Sequence, residues 1–231
     1  MESMKKIERL LPDEIERRSF EIISEELEQR KIVLPAREEM ITKRVIHTSA
    51  DFDYAQTMMY SENAVEIAKK LFLEGADIVT DTNMALSGIN KKALEKLGGR
   101  AYCFMADEDV AELARQQNTT RAAVCMEKAR NMEKPVVFAI GNAPTALVRI
   151  YEMMQESSWR PAFVIGVPVG FVNVEAAKEL ILESSVPYII NRGRKGGSNV
   201  AAAICNALLY ELTRNAADTG KNFTSDTVRQ E

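Results

Sequence analysis

The chain has 231 residues, 46% hydrophobic and 28% charged, which suits one soluble globular domain spanning residues 1–231. Its net charge of −4 argues against a general nucleic-acid binder, which needs clustered Lys and Arg against phosphates, so any anion site must be local. Cys103, Cys125 and Cys205 are widely spaced in apolar runs and form neither a disulfide framework nor a paired-cysteine metal site; with no signal-peptide core and no membrane-spanning apolar run, the expectation is a cytoplasmic protein away from membranes.

The first predicted element is an amphipathic helix from Pro12 to Arg30, in which Ile15, Phe20, Ile22, Ile23 and Leu27 recur at helical spacing among charges. A second helix is expected from Pro35, carrying Met40, Ile41, Val45 and Ile46 towards the core and ending near Thr48 and Ser49. A third runs from Ser61 to Glu74 and is stopped by Gly75. Beyond Gly75 the pattern changes to short apolar runs, DIVT from Asp77, AYCFM from Ala101, PVVFAI from Pro135, AFVIGV from Ala162 and PYII from Pro187. Helices are read between and after them at Lys91–Leu97, Asp107–Gln117, Thr120–Arg130, Ala143–Glu156, Val174–Glu183 and Ser198–Thr213. Continuous apolar strands alternating with helices imply βαβ crossovers. The expected fold class is therefore α/β, a single doubly wound domain with a five-stranded, mostly parallel sheet and helices on both faces. Residues 1–60 are expected to add helical cover or to reach a partner subunit, and the polar stretch from Ala217 onward is expected to be mobile.

Ligands of open α/β sheets bind outside the carboxyl ends of the strands. The five loops there read DTNMALSG, MADED, GNAPTA, PVGFVN and NRGRKGGSN. In the last, Arg192, Arg194 and Lys195 place three positive charges within four residues, while Gly193, Gly196 and Gly197 permit close backbone approach and Ser198 is placed to cap the next helix. That chemistry suits carboxylate or phosphate groups, although a solvated basic turn has the same composition. Gly141, Asn142 and Thr145 of GNAPTA and Gly170 of PVGFVN are further candidates, since free N–H groups at helix starts hold anions. Neither a P-loop nor a GxGxxG fingerprint occurs. The acidic pairs Asp51/Asp53 and Asp107/Asp109 read as helix starts. Met84 and Met105, in sheet-end loops, are candidates to face a large flat ligand.

His47 is the only histidine, in KRVIHTSADFD. If the helix persists, Arg44 lies one turn before it and Asp51 one turn after, which would flank a titratable ring with an anion-binding guanidinium and a possible orienting carboxylate. An ordinary histidine in a salt-bridged helix fits the same spacing.

RVIHTSADFD, TDTNMALSGI, GNAPTAL, PVGFVNVEAAKE and GRKGGSNVAAAICNAL, in this order over most of the chain, resemble the precorrin-8X methylmutases and the cobalt-precorrin-8 methylmutases of cobalamin biosynthesis. The resemblance implies a homodimeric α/β isomerase that moves the C11 methyl of a corrin precursor to C12 and yields a hydrogenobyrinate-type product. It places the acid/base role on His47 and substrate contacts on Ser19, Arg44 and Arg121. It implies no metal site or cofactor in the protein, cobalt being carried only by the substrate, and it leaves room for transient contact with neighbouring pathway enzymes. Two other readings are a corrinoid carrier without turnover and a nucleotide- or phosphate-dependent transferase using GRKGGS as its phosphate loop.

Overall fold

The computed structural model describes residues 11–221. Its order of elements is α1 (Pro12–Gln29), α2 (Glu39–Ser49), α3 (Tyr54–Thr57), β1 (Met58–Tyr60), α4 (Ala64–Leu73), β2 (Asp77–Thr80), α5 (Asn83–Gly88), α6 (Lys91–Lys96) and β3 (Ala101–Tyr102). Then follow α7 (Glu108–Gln116), α8 (Arg121–Arg130), β4 (Val136–Ile140), α9 (Pro144–Glu156), β5 (Phe163–Gly166), α10 (Val174–Leu182), β6 (Tyr188–Asn191) and α11 (Ser198–Lys221).

The sheet has six strands in the order β1-β6-β5-β4-β2-β3, not five. The five expected strands are all parallel to one another, and the added β1 lies antiparallel to β6 with Met58 opposite Asn191. Among the parallel strands the order reverses between β2 and β4, which is the topological switch point of a doubly wound sheet.

Alternate residues of the parallel strands enter separate cores. Ile78, Val137, Ile165 and Ile189 pack with residues of α2, α4 and α11, whereas Val79, Phe138, Val164 and Ile190 pack with residues of α7, α8, α9 and α10. Period-two side-chain direction thus sends neighbouring apolar residues to opposite helical layers, so the strands read as unbroken apolar runs.

Several boundaries differ from expectation. Residues 35–38 form a turn whose Pro35 carbonyl accepts the Glu38 and Glu39 N–H groups, and α2 proper starts at Glu39. Met40 is exposed, not in the core. DTNMALSG is not all loop, because Thr82 Oγ1 accepts the Ala85 N–H at 3.1 Å and caps α5. The last helix passes Ala217 and continues to Lys221; the rest of the tail expected to be mobile lies outside the described residues. Cys125 and Cys205 are buried as expected, but Cys103 is half-buried. No helix of the described residues is long and apolar enough to cross a membrane.

Candidate active site

The loops at the carboxyl ends of β2, β4 and β6 converge. Asp81, directly after β2, is buried and accepts the backbone N–H of Gly141 at 2.9 Å, of Asn142 at 2.8 Å and of Ala143 at 2.5 Å. Burial pushes its carboxyl up, against the downward pull of these three hydrogen bonds. This corrects the expectation for GNAPTA: the N–H groups before α9 already hold an internal carboxylate, so the loop is not a free anion cradle. Gly141 serves packing, since a Cβ there would stand 2.7 Å from Ser198 Cα. Ser198 is the first residue of α11, and its Oγ meets Thr82 Oγ1 at 2.8 Å.

The basic loop is also more occupied than its composition implies. Arg192 Nε lies 3.0 Å from Glu179 Oε1, and Arg194 Nε lies 3.0 Å from Glu175 Oε2. Lys195 Nζ reaches Asp51 Oδ2 at 2.5 Å and Asp53 Oδ2 at 2.6 Å, which raises its pKa and lowers that of Asp51. Each of the three cations thus carries a protein carboxylate. The glycines are structural necessities in unequal degree. Gly196 has φ +157° and a Cβ there would come within 2.1 Å of the Val167 carbonyl oxygen. Gly193, at φ +79°, would meet nothing within 4 Å, and Gly197 has φ +145°. Gly170, at φ +147°, donates its N–H to the Arg194 carbonyl.

Beneath this loop runs a polar network that sequence reasoning missed. Lys178 is fully buried and its Nζ donates to the carbonyls of Gly193 at 2.6 Å and Lys195 at 2.8 Å. Asn191 donates to the Lys195 carbonyl at 2.8 Å and accepts from Thr57 Oγ1 at 2.6 Å. Burial lowers Lys178 to a pKa of about 8. A signal was present, because Val174, Ala177, Lys178 and Ile181 share one core-facing stripe of α10 and a lysine stands out there.

His47 lies in the last turn of α2, in a groove of about 430 Å³ lined by Ser19, Ile23, Glu26, Arg30, Ile46 and Phe52 among others. Its Nδ1 is buried without a hydrogen-bond partner, and the Phe20 ring lies 5.5 Å away. Burial first, then the Arg44 charge, lowers its pKa, and Glu16 opposes both. Asp51 is not its orienting group. The helix ends at Ser49, Ala50 turns left-handed at φ 53°, and Asp51 goes to Lys195. Asp51 also caps locally, accepting the Asp53 N–H at 3.0 Å, while Asp107 and Asp109 both bind Lys128 Nζ without capping α7 through their side chains.

Arg44, one turn before His47, is largely buried and donates from Nη2 to Glu16 Oε1 at 2.8 Å. Its guanidinium lies over the rings of Phe20 and Tyr210, and its Nε is buried without a partner. Ser19 lines the His47 groove, but its hydroxyl is used on the Ile15 carbonyl.

The remaining candidates spread along the carboxyl edge of the sheet. Met84 lies exposed on α5, whereas Met105 packs on a core. Arg121 is exposed at the start of α8, beside the contact of Thr120 Oγ1 with Thr145 Oγ1 at 3.0 Å. Asn142 is exposed, and so are Val169, Phe171 and Val172. The Lys195–Asp51 pair joins this edge to the end of the His47 helix.

The sequence profile of the family described as CbiC, precorrin-8X methylmutase, matches residues 14–211. The chain belongs to the precorrin-8X methylmutase family. It is 42% identical to the cobalt-precorrin-8 methylmutase of Priestia megaterium, over 94% of each chain. With that of Salmonella typhimurium it shares 44% over 87% of this chain and 96% of the relative. A crystal structure of the precorrin-8X methylmutase from Thermus thermophilus superposes with a TM-score of 0.78 at 36% identity, covering 90% of this chain and 98% of that one. Membership of this methylmutase family makes the protein an isomerase of cobalamin biosynthesis, and the carrier and transferase readings are not favoured.

Proposed function

We propose that residues 1–231 act as one methylmutase domain that moves the C11 methyl of precorrin-8X, or of cobalt-precorrin-8, to C12 and releases the hydrogenobyrinate-type product. The observation that carries this reading is His47. It is a groove-lining imidazole with a buried, unpartnered Nδ1, one turn from Arg44, in a chain so close to named methylmutases.

An isomerisation conserves atoms, so any proton taken from the macrocycle must be returned to it. An imidazole whose pKa lies below 6.5 is mostly neutral at pH 7 and suits that exchange. Such proton transfer supplies about 10²–10⁴-fold, and orientation and electrostatic fit supply the rest. The methyl shift itself requires no nucleophile and no cofactor, and cobalt, where present, belongs to the substrate ring. Arg44, Arg121, Arg192, Arg194 and Lys195 are assigned to the macrocycle's edge carboxylates. Exposed Met84, Val169, Phe171 and Val172 supply apolar surface for its face. The cytoplasm as the site of action and a homodimer as the working form belong to the same proposal.

The test is anaerobic incubation of wild type and His47→Ala with each substrate form, followed by visible spectra, mass and NMR. Conversion by wild type, with binding but little conversion by the variant, is expected. Binding without conversion by wild type would sink the isomerase reading in favour of a carrier, and the form converted faster identifies the pathway branch.

A further inference from the structure

Arg44 is partnered in a way that leaves it incomplete. Glu16 takes Nη2 through one oxygen at 2.8 Å, while the adjacent Nε is buried with no acceptor. A guanidinium matches a carboxylate best when two parallel N–H groups reach its two oxygens, and a buried unpaired N–H is costly. Arg44 and Glu16 line a second cavity, of about 890 Å³, with Phe20, Met40 and Lys43, separate from the His47 groove; a carboxylate arriving there would take Nε and Nη2 together and satisfy both. Glu16 itself is only partly buried. Its side chain is 35% exposed, Leu11 at the N-cap and Ile15 in the helix are exposed, and Ile23 is the first buried hydrophobic residue of α1 among the described side chains. Among the described side chains, the N-terminal half of α1 therefore covers Arg44 and His47 through the half-buried Phe20 and adds no fully buried hydrophobic residue to the core.

We propose that Glu16 is a placeholder for a substrate carboxylate: it occupies Arg44 in the free protein and is displaced, with the N-terminal half of α1, when the macrocycle's edge carboxylate binds Arg44. This rests on the methylmutase reading for the identity of the ligand but not for the existence of the latch. The exchange neutralises Arg44 in both states, so a charge is never left unpaired beneath Phe20. It also favours substrates with an acid at that edge, because an amide or ester would have to displace Glu16 without replacing its charge.

Glu16→Gln and wild type are compared in three measurements. The first is the KM for the corrin precursor, which is expected to fall about two- to five-fold in the variant, the range for releasing a partly exposed ion pair, with a smaller change in kcat. The second is amide hydrogen exchange over residues 12–20, expected to be faster in the free variant and, in wild type, faster on binding the hydrogenobyrinate product. The third is the pH profile. Lys43 and Arg44 on α2, Glu16, Arg17, Glu21, Glu25, Glu26 and Arg30 on α1, and Tyr210 of α11 against Arg44 are titratable or charged groups around the two faces of α1. Loss of the Glu16 charge moves the limb belonging to His47 to lower pH, whichever protonation state is active.

An unchanged or higher KM together with unaltered exchange in 12–20 overturns the placeholder while turnover by wild type leaves the methylmutase reading standing. If wild type turns over neither precursor, the latch is judged on exchange in the free proteins: faster exchange in Glu16→Gln upholds it, and equal rates overturn it.

Discussion

The amine of Lys178 lies 2.6 Å from the carbonyl oxygen of Gly193, so a side chain rooted in the core of α10 holds the basic loop from below. The same amine takes the Lys195 carbonyl, which turns those two carbonyls inward while the cationic side chains stand exposed. Lys178 thus positions the loop from within the core.

Lys178→Met keeps the bulk and removes the donor. The Gly193 carbonyl then loses this partner, and the loop should exchange amide hydrogens faster and bind the precursor more weakly, with the larger effect in KM. The pH dependence has a defined sign. The folded pKa of about 8 lies below the ordinary 10.5, so the unfolded chain binds more protons in that window and wild type gains stability as pH rises from 8 to 10.5. The variant lacks that gain. Urea midpoints of both proteins at several pH values in this range check it, and parallel curves would refute the assignment.

His47→Ala should reduce kcat by about 10²–10⁴-fold while retaining product binding, because the ring is assigned to the proton step. Its lowered pKa also means that the unfolded chain takes up a proton first as pH falls through 6.5. The stability contributed by the buried neutral ring is present above 6.5 and is lost as pH falls below it, progressively down to the folded pKa. Melting temperatures of wild type should consequently fall more steeply with acid than those of His47→Asn. Equal slopes would show that the ring is not desolvated.

Gly196 and Gly193 should respond very differently to alanine. At Gly196 the new Cβ meets the Val167 carbonyl oxygen at 2.1 Å, a backbone atom that cannot swing aside, and a large loss of stability or failure to fold is expected. At Gly193 the cost is confined to its left-handed conformation, about 1–2 kcal/mol. Denaturation midpoints of the two variants measure the contrast, and a milder effect at Gly196 would contradict the packing described.

Neutralising Arg192, Arg194 or Lys195 singly should change stability by about 1 kcal/mol or less, because all three pairs are solvent-exposed. If they clamp the macrocycle's carboxylates, each change instead raises KM, and the increment shrinks as salt is added. Titration of KM against ionic strength separates a binding role from a merely solvated turn, for which KM would not move.

Much of the fold was legible in the sequence because its signals are local. Five apolar runs and the helices between them follow from hydrophobic spacing, while Gly75 after α4 and Pro144 at the first turn of α9 mark boundaries through backbone geometry that those residues favour. The short β1 was not legible: Met58–Tyr60 has no period of its own and is a strand only because β6 offers it an antiparallel edge. Of the site, the sequence determined the residue types, with His47 one turn from Arg44 and three cations among glycines. Only the tertiary structure decided which charges are already matched. Asp81 meets Gly141 across 60 residues, Lys195 meets Asp51 across 144, and Glu16 meets Arg44 across 28. Charge pairing at such separations depends on where packed helices bring side chains within about 3 Å, and no local pattern encodes that distance.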